Sequence, residues 1–161
     1  MRYKFLTLYV LLIIAVNYAF TVVPLVKLPD GTLWPPVALL VGFVFVARDF
    51  AQREVGHKVL LAMLVGVAIS YFVADPSVAV ASAAAFLVGE LVDWAVYTYT
   101  KRPLSQRILL SSLLGAPVDS VIFLGLLSLL SPVGFVAMSV SKILGAFIVW
   151  GMIRRRENKN A

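Results

Sequence analysis

Six long apolar segments restrict the fold of this chain more than any other feature. They cover approximately residues 5–26, 33–50, 59–74, 77–99, 108–130 and 133–152. A helix of about 20 apolar residues crosses the hydrocarbon core of a bilayer, whereas an open sheet would leave unpaired backbone groups in lipid. Apolar residues make up 61% of the 161 residues, too many for a soluble domain of this size to bury. The sequence therefore predicts an all-α polytopic membrane protein, with six transmembrane helices forming one domain over residues 1–161.

Basic residues concentrate on one side of the predicted membrane topology. With six spans, both termini and two of the loops share a side, and that side receives twelve lysines and arginines. The other side receives Lys27 alone. Because loops rich in lysine and arginine stay in the cytoplasm, we expect both termini to be cytoplasmic. The first apolar segment is longer than that of a cleaved signal peptide, so we expect it to be retained.

The residue types that carry most enzyme and metal chemistry are scarce. The chain has no cysteine and a single histidine, His57, which excludes disulfides, thiolate metal sites and sites with several histidine ligands. No P-loop, HExxH or GxSxG pattern occurs. We therefore expect neither a metal nor a cofactor, and no enzymatic activity. The basic residues follow membrane topology, so we expect a lipid environment and no nucleic-acid partner.

Polar residues inside the apolar segments are the candidates for a functional site, because a charge near the bilayer centre costs at least about 2.5–3.5 kcal/mol. Counted along the helices, roughly 16–20 Å separate the basic side from each of four polar residues, Asn17, Glu90, Asp119 and Lys142. Asp93 lies one turn from Glu90 on nearly the same face. One lysine cannot neutralise three acids, which favours a shared substrate or proton site. The alternative is structural, with Asp119 and Lys142 forming an ion pair that fixes helix packing.

The second segment ends in a polar stretch that has two interpretations. Arg48 and Gln52 share one helix face, and Asp49 and Arg53 share another. In one interpretation they form a salt-bridged turn at the cytoplasmic surface. In the other, Arg48, Asp49 and Gln52 turn inward and gate or line the site.

Small residues and a proline bear on helix packing. Ala81, Ala85 and Gly89 recur at a spacing of four, which predicts a face that another helix can approach closely. Pro117 lies just before Asp119. It predicts either an interrupted helix of the kind that lines transport sites or a kink that serves packing alone.

Three pieces of the sequence, taken in order, suggest a family. They are RDFAQR at 48–53, GELVD at 89–93 and SSLLGAPVDSVIF at 111–123. Together they resemble the queuosine-precursor transporter family, also called the vitamin-uptake-transporter family, over about half of the chain. The resemblance implies six helices in a bacterial inner membrane and import of a 7-deazaguanine: the 7-cyano or 7-aminomethyl precursor, or queuine. The polar residues of the family's motifs correspond here to Arg48, Asp49, Gln52, Glu90, Asp93 and Asp119.

The chemistry of a 7-deazaguanine fits these side chains. A guanine-like edge offers adjacent N–H donors that a carboxylate accepts, for which Glu90 or Asp119 is expected. The O6 acceptor needs a donor, and the flat ring needs an aromatic face, for which Phe86 is one candidate. The complete predicted substrate-binding set is Glu90, Asp119, Lys142, Asp93, Arg48, Gln52, Asn17, Phe123 and Trp94. Asp49 and Arg53 are predicted to be gating or structural residues.

Two other functional classes stay open at this stage. The chain could be the substrate-binding subunit of a vitamin importer energised by a separate ATP-driven partner. It could also be a structural or assembly membrane protein whose buried charges only pair helices. The sequence leaves open the preferred deazaguanine, the driving force, the oligomeric state and an energising partner.

Overall fold

The computed structural model describes residues 3–159, and within that range the chain forms six α-helices and one short β-hairpin. The elements are α1 (Lys4–Val22), β1 (Val26–Lys27), β2 (Leu33–Trp34), α2 (Ala38–Val55), α3 (Val59–Val73), α4 (Ala79–Tyr99), α5 (Leu104–Leu126) and α6 (Pro132–Lys159), with a 3₁₀ turn at Gly56–Lys58 between α2 and α3. The predicted all-α class is confirmed. Residues 1, 2, 160 and 161 of the predicted domain lie outside the described part, as do the side chains of Arg2, Arg156 and Lys159 from the predicted basic side.

The helices have the length and composition of membrane helices. Five helical stretches among the described residues are long and apolar enough to cross a membrane: Lys4–Val22, Ala38–Val73, Ala79–Tyr99, Leu104–Leu126 and Pro132–Arg155. The second stretch contains both α2 and α3. Large apolar side chains point outward, and Leu61 and Phe72 on α3 are 67% and 81% exposed. A surface of this kind is stable only against lipid or another protein.

The connection between α1 and α2 differs from the prediction. α1 ends at Val22 instead of residue 26, and α2 begins at Ala38 instead of residue 33. Pro24 cannot donate a backbone hydrogen bond, which ends α1 early. The residues beyond it pair as an antiparallel hairpin, with Val26 opposite Trp34. Two-residue strands carry too little pattern to be predicted from sequence.

The hairpin is attached to the beginning of α6. Asp30 accepts hydrogen bonds from the Thr32 hydroxyl (2.6 Å) and the Thr32 backbone N–H (3.0 Å), which together lower the pKa of Asp30. The Thr32 and Ser131 hydroxyls are 3.1 Å apart. Ser131 also caps α6, because its Oγ accepts the Gly134 N–H at 3.0 Å.

The last two helices also deviate from their predicted limits. α5 runs from Leu104 to Leu126 instead of 108–130, and it ends where Ser128 takes a left-handed conformation (φ 56°). It passes through Pro117 as one continuous helix. α6 continues to Lys159, beyond the predicted limit of residue 152, because its polar end still consists of helix-forming residues.

Glycines allow two very close helix crossings. A β-carbon added at Gly89 of α4 would lie 2.6 Å from the Asp119 Cβ of α5. One added at Gly115 of α5 would lie 3.1 Å from the Gly89 carbonyl oxygen. In the α2–α6 crossing, a β-carbon at Gly145 would lie 3.0 Å from the Gly42 carbonyl carbon. The close approach predicted for the small-residue face of α4 is therefore confirmed at Gly89.

The two ends of the bundle differ in charge. The Glu54 carboxylate at the end of α2 accepts three backbone N–H groups at the start of α1, from Lys4, Phe5 and Leu6, at 2.9–3.1 Å. Such N–H groups lack partners within their own helix, and a negative charge there is favourable. We call this the basic end, because the connections α2–α3 and α4–α5 and the end of α6 bring most lysines and arginines to it. The opposite end, which carries β1 and β2, is the hairpin end.

Candidate functional site

A cavity of about 650 Å³ lies in the half of the bundle near the hairpin end. All six helices and the hairpin contribute to its lining. The lining is mostly apolar and includes Val16, Val44, Phe86 and Leu124, with polar side chains at only a few positions. Size and lining are both typical of sites for small organic molecules.

An ion pair lies in this cavity. The Lys142 Nζ of α6 is 3.1 Å from the Asp119 Oδ2 of α5 and donates to the Ser120 hydroxyl at 3.1 Å. The two residues are 2% and 8% exposed, and both line the cavity. The predicted ion pair is confirmed, and it also presents a donor and an acceptor side by side to the cavity. The two side chains therefore connect α5 to α6 and also expose polar atoms to the cavity.

A second polar group in the cavity is uncharged. The Ser70 hydroxyl donates to the Asn17 side-chain oxygen at 3.1 Å and is 2.8 Å from the Ser82 hydroxyl. These residues come from α1, α3 and α4, and all three line the cavity. We call them the serine–asparagine group.

Aromatic rings and one exposed acid complete the lining. Phe86 of α4 and Phe123 of α5 supply flat apolar surface. Asp75, in the connection between α3 and α4, accepts the Ser77 hydroxyl (2.5 Å) and the Ser77 backbone N–H (2.8 Å). These bonds lower the pKa of this cavity-lining carboxylate.

A buried polar cluster lies next to the cavity on the side of the basic end. Arg48 is completely buried, with its Nη1 2.9 Å from Asp49 and its Nε 3.4 Å from Glu90. Its Nη2 pairs with Asp93. We call these four residues, from α2 and α4, the inner polar cluster. It contains one guanidinium and three carboxyl groups, and none of its members lines the cavity.

Hydrogen bonds connect the inner polar cluster to neighbouring helices. The Tyr9 hydroxyl of α1 donates to Glu90 at 3.1 Å, and the Ser111 hydroxyl of α5 donates to Asp49 at 3.0 Å. Gln52 accepts from Arg48 at 2.6 Å and donates to the Thr98 hydroxyl at 2.8 Å. Four helices are therefore held together in one buried layer between the cavity and the basic end.

The inner polar cluster distinguishes between the two interpretations of the polar stretch at the end of the second segment. Arg48, Asp49 and Gln52 turn inward and are buried. Arg53 is exposed and takes no part in the cluster. The inward orientation, and not the surface salt bridge, is the arrangement in the structure.

The structure divides the predicted site residues between two places. Asn17, Asp119, Lys142 and Phe123 line the cavity. The inner polar cluster and its hydrogen-bonding partners contain Arg48, Asp49, Gln52, Glu90 and Asp93. Trp94 packs against His57, with ring centroids 5.7 Å apart, outside the cavity lining.

Sequence reasoning missed the hydroxyl groups. Ser70, Ser82 and Ser120 bond to cavity residues, and Tyr9 bonds to Glu90. Single serines and tyrosines are common in membrane helices, so their types and positions gave no signal of this role.

The fold and the cavity define a multi-pass α-helical membrane protein that can enclose a small solute. Residues 37–155 match the family model described as "Putative vitamin uptake transporter", and the chain belongs to this family. The membership predicted from the three sequence pieces is therefore confirmed. No curated protein and no solved structure matches the chain.

Proposed function

We propose that this protein imports a 7-deazaguanine precursor of queuosine: the 7-cyano or 7-aminomethyl compound, or queuine itself. The observation that carries the proposal is the Asp119–Lys142 pair in an otherwise largely apolar cavity. We propose a transport role and no catalytic one, in keeping with the membership of a transporter family.

The ion pair is complementary to a guanine-like edge. The Asp119 carboxylate can accept the N1–H and N2–H donors, and the Lys142 ammonium can donate to O6. Phe86 and Phe123 offer apolar surface for the flat ring. Apolar walls with a few convergent polar groups suit a planar base better than a sugar or a peptide.

The proposed topology has six crossings. The stretch Ala38–Val73 has 36 residues, which at about 1.5 Å each would exceed the ~30 Å hydrocarbon core by far. Gly56 divides it with a positive φ of 63°, and α3 returns toward the hairpin end, where Ser70 bonds to Asn17 of α1. We therefore count α2 and α3 as two crossings. Basic residues stay in the cytoplasm, so the basic end and both termini are proposed to lie there, in the inner membrane of a bacterium.

In this orientation the cavity faces the outside of the cell and the inner polar cluster closes it toward the cytoplasm. Import then requires the cluster to separate while the hairpin end closes. Glu90, Asp93, Arg48 and Gln52 would meet the substrate only in that second state. Asp49 shares the cluster, which is consistent with a gating role.

Uptake into liposomes tests the proposal. Purified protein, reconstituted alone, should accumulate labelled 7-cyano-7-deazaguanine faster than empty liposomes, and Asp119→Asn should reduce uptake to the empty-liposome level. The matched control is Ser141→Ala, since the Ser141 hydroxyl bonds only to the Ala137 carbonyl of its own helix (2.6 Å) among the described contacts.

The alternatives give different results. Thermal stabilisation by the ligand without uptake would identify a binding subunit that needs an ATP-driven partner, because the same cavity would serve substrate capture. A ligand that binds only the folded state must raise the melting temperature when in excess. Absence of both stabilisation and uptake would refute import and favour the structural role of the buried charges.

A further inference from the structure

The serine–asparagine group has hydrogen-bonding capacity to spare. One amide N–H of Asn17 donates to the Ile13 carbonyl at 2.9 Å, and the Asn17 oxygen accepts from Ser70. Because the Ser70 proton is used there, the Ser82 hydroxyl must be the donor in the 2.8 Å contact between Ser70 and Ser82. Among the described contacts, the second Asn17 N–H and the Ser82 lone pairs then have no protein partner. The group thus offers one donor and one acceptor, both uncharged, in the cavity.

The position of Ser82 on α4 relates this group to the ion pair. Ser82, Phe86 and Gly89 follow one another at spacings of four and three, which places them on one face of the helix. Ser82 and Phe86 line the cavity, and Gly89 abuts Asp119. Seven residues of helix separate Ser82 from Gly89, which is roughly 10 Å. Phe86 therefore lies between the charged Asp119–Lys142 pair and the neutral serine–asparagine group.

We propose that Asn17, Ser70 and Ser82 form a second subsite, which binds the polar substituent of a flat bicyclic base whose opposite edge is held by Asp119 and Lys142. This inference rests on the proposed function and deepens it. A ring lying on Phe86 would direct one end toward the Asp119–Lys142 pair and the other end toward the serine–asparagine group. A substituent that accepts a hydrogen bond, such as a nitrile, takes the free Asn17 N–H. A substituent that donates, such as an amine, bonds to the Ser82 oxygen.

The subsite has a chemical consequence for specificity. A base with a bare edge would leave the Asn17 donor and the Ser82 acceptor in contact with hydrocarbon, and unsatisfied polar groups in such surroundings are unfavourable. The subsite therefore selects substituted bases over unsubstituted ones. The Asp119–Lys142 ion pair recognises the guanine-like edge that all of these ligands share.

The test pairs changes in the ligand with changes in the protein. Dissociation constants are measured by calorimetry for 7-deazaguanine, 7-cyano-7-deazaguanine and 7-aminomethyl-7-deazaguanine, on the wild type, Asn17→Leu, Ser82→Ala and the control Ser141→Ala. One neutral hydrogen bond corresponds to about three- to tenfold in affinity. Asn17→Leu should weaken the cyano compound by that factor, and Ser82→Ala should weaken the aminomethyl compound. Neither variant should weaken 7-deazaguanine, which makes no hydrogen bond to the subsite.

The outcomes separate the two proposals. If the wild type binds the three ligands equally, or if Ser82→Ala weakens all three alike, the subsite is refuted while the import of deazaguanines stands. If the wild type binds none of the three, the proposed function fails and the subsite fails with it. Ser82→Ala leaves the Ser70–Asn17 bond in place, so it keeps the test available should Asn17→Leu fail to fold.

Discussion

Removing the charges of Asp119 and Lys142 one at a time and together distinguishes binding from packing. At an effective dielectric constant of about 20, two unit charges 3.1 Å apart attract each other by about 5 kcal/mol. Lys142→Met or Asp119→Asn alone leaves the remaining charge buried without its partner. Breaking a buried pair in this way costs about 3–5 kcal/mol, which for a chain of this length lowers the melting temperature on the order of 10 °C.

The double variant should behave differently in the two assays. Asp119→Asn with Lys142→Met removes both charges, and neutral replacement of a buried pair is often harmless to stability. We expect its melting temperature to lie within a few degrees of the wild type. Binding of 7-cyano-7-deazaguanine should nevertheless be lost in all three variants, because a hydrogen bond to a charged group contributes about 1.5–3 kcal/mol, or about ten- to a hundredfold in affinity.

Melting curves of the detergent-solubilised protein and calorimetric titration provide the two measurements. Lys101→Met is the matched control, since Lys101 is an exposed lysine between α4 and α5. It should change neither quantity. A double variant that binds the deazaguanine within threefold of the wild type would refute the binding role and leave the pair as a packing device.

Three further perturbations test other parts of the structure. Because the chain has no native cysteine, the double variant Thr32→Cys with Ser131→Cys allows one defined disulfide between the hairpin and α6. Forming this disulfide should reduce uptake at least tenfold, and a reductant should restore uptake. Full activity of the cross-linked protein would show that the hairpin need not move. Gly42→Ala should destabilise the α2–α6 crossing by about 1–3 kcal/mol, while Gly125→Ala, where an added β-carbon meets nothing within 4 Å, should be neutral or slightly stabilising in the same melting assay. Glu54→Ala should cost about 0.5–2 kcal/mol by removing the acceptor at the start of α1, and an unchanged melting temperature would mean that solvent replaces this cap.

The sequence predicted the helices because lipid permits little else. A long apolar run must satisfy its backbone internally, so its existence as a helix follows from length and hydropathy alone. Its ends do not follow. Pro24 shortened α1, the left-handed Ser128 ended α5, and the polar end of α6 continued as helix beyond the apolar run. Each of these depends on local backbone geometry that hydropathy does not contain.

The position of the polar residues along their helices was predicted better than the direction in which their side chains point. Counting residues placed Glu90 and Asp119 in one layer, and Gly89, the neighbour of Glu90 in the sequence, does lie against Asp119. However, Asp119 lines the cavity while Glu90 binds Arg48. The direction in which a side chain points depends on the rotation of its helix and on the neighbouring helices. Because most helix faces in this chain are apolar, the sequence indicates neither the rotation nor the neighbours.

The one-sided position of the cavity has an electrical consequence for the proposed transporter. A water-filled cavity at the hairpin end would bring the potential of the outer solution down to its floor, so the membrane voltage would fall mainly across the layer that holds Arg48. In that layer, one elementary charge displaced through 100 mV changes in energy by about 2.3 kcal/mol. The neutral 7-cyano compound crossing the same layer does no electrical work. Voltage dependence in its uptake would therefore measure the movement of the protein's own buried charges, and recordings on liposomes with an imposed potential would reveal how far Arg48 and its three carboxyl partners move when the bundle opens to the cytoplasm.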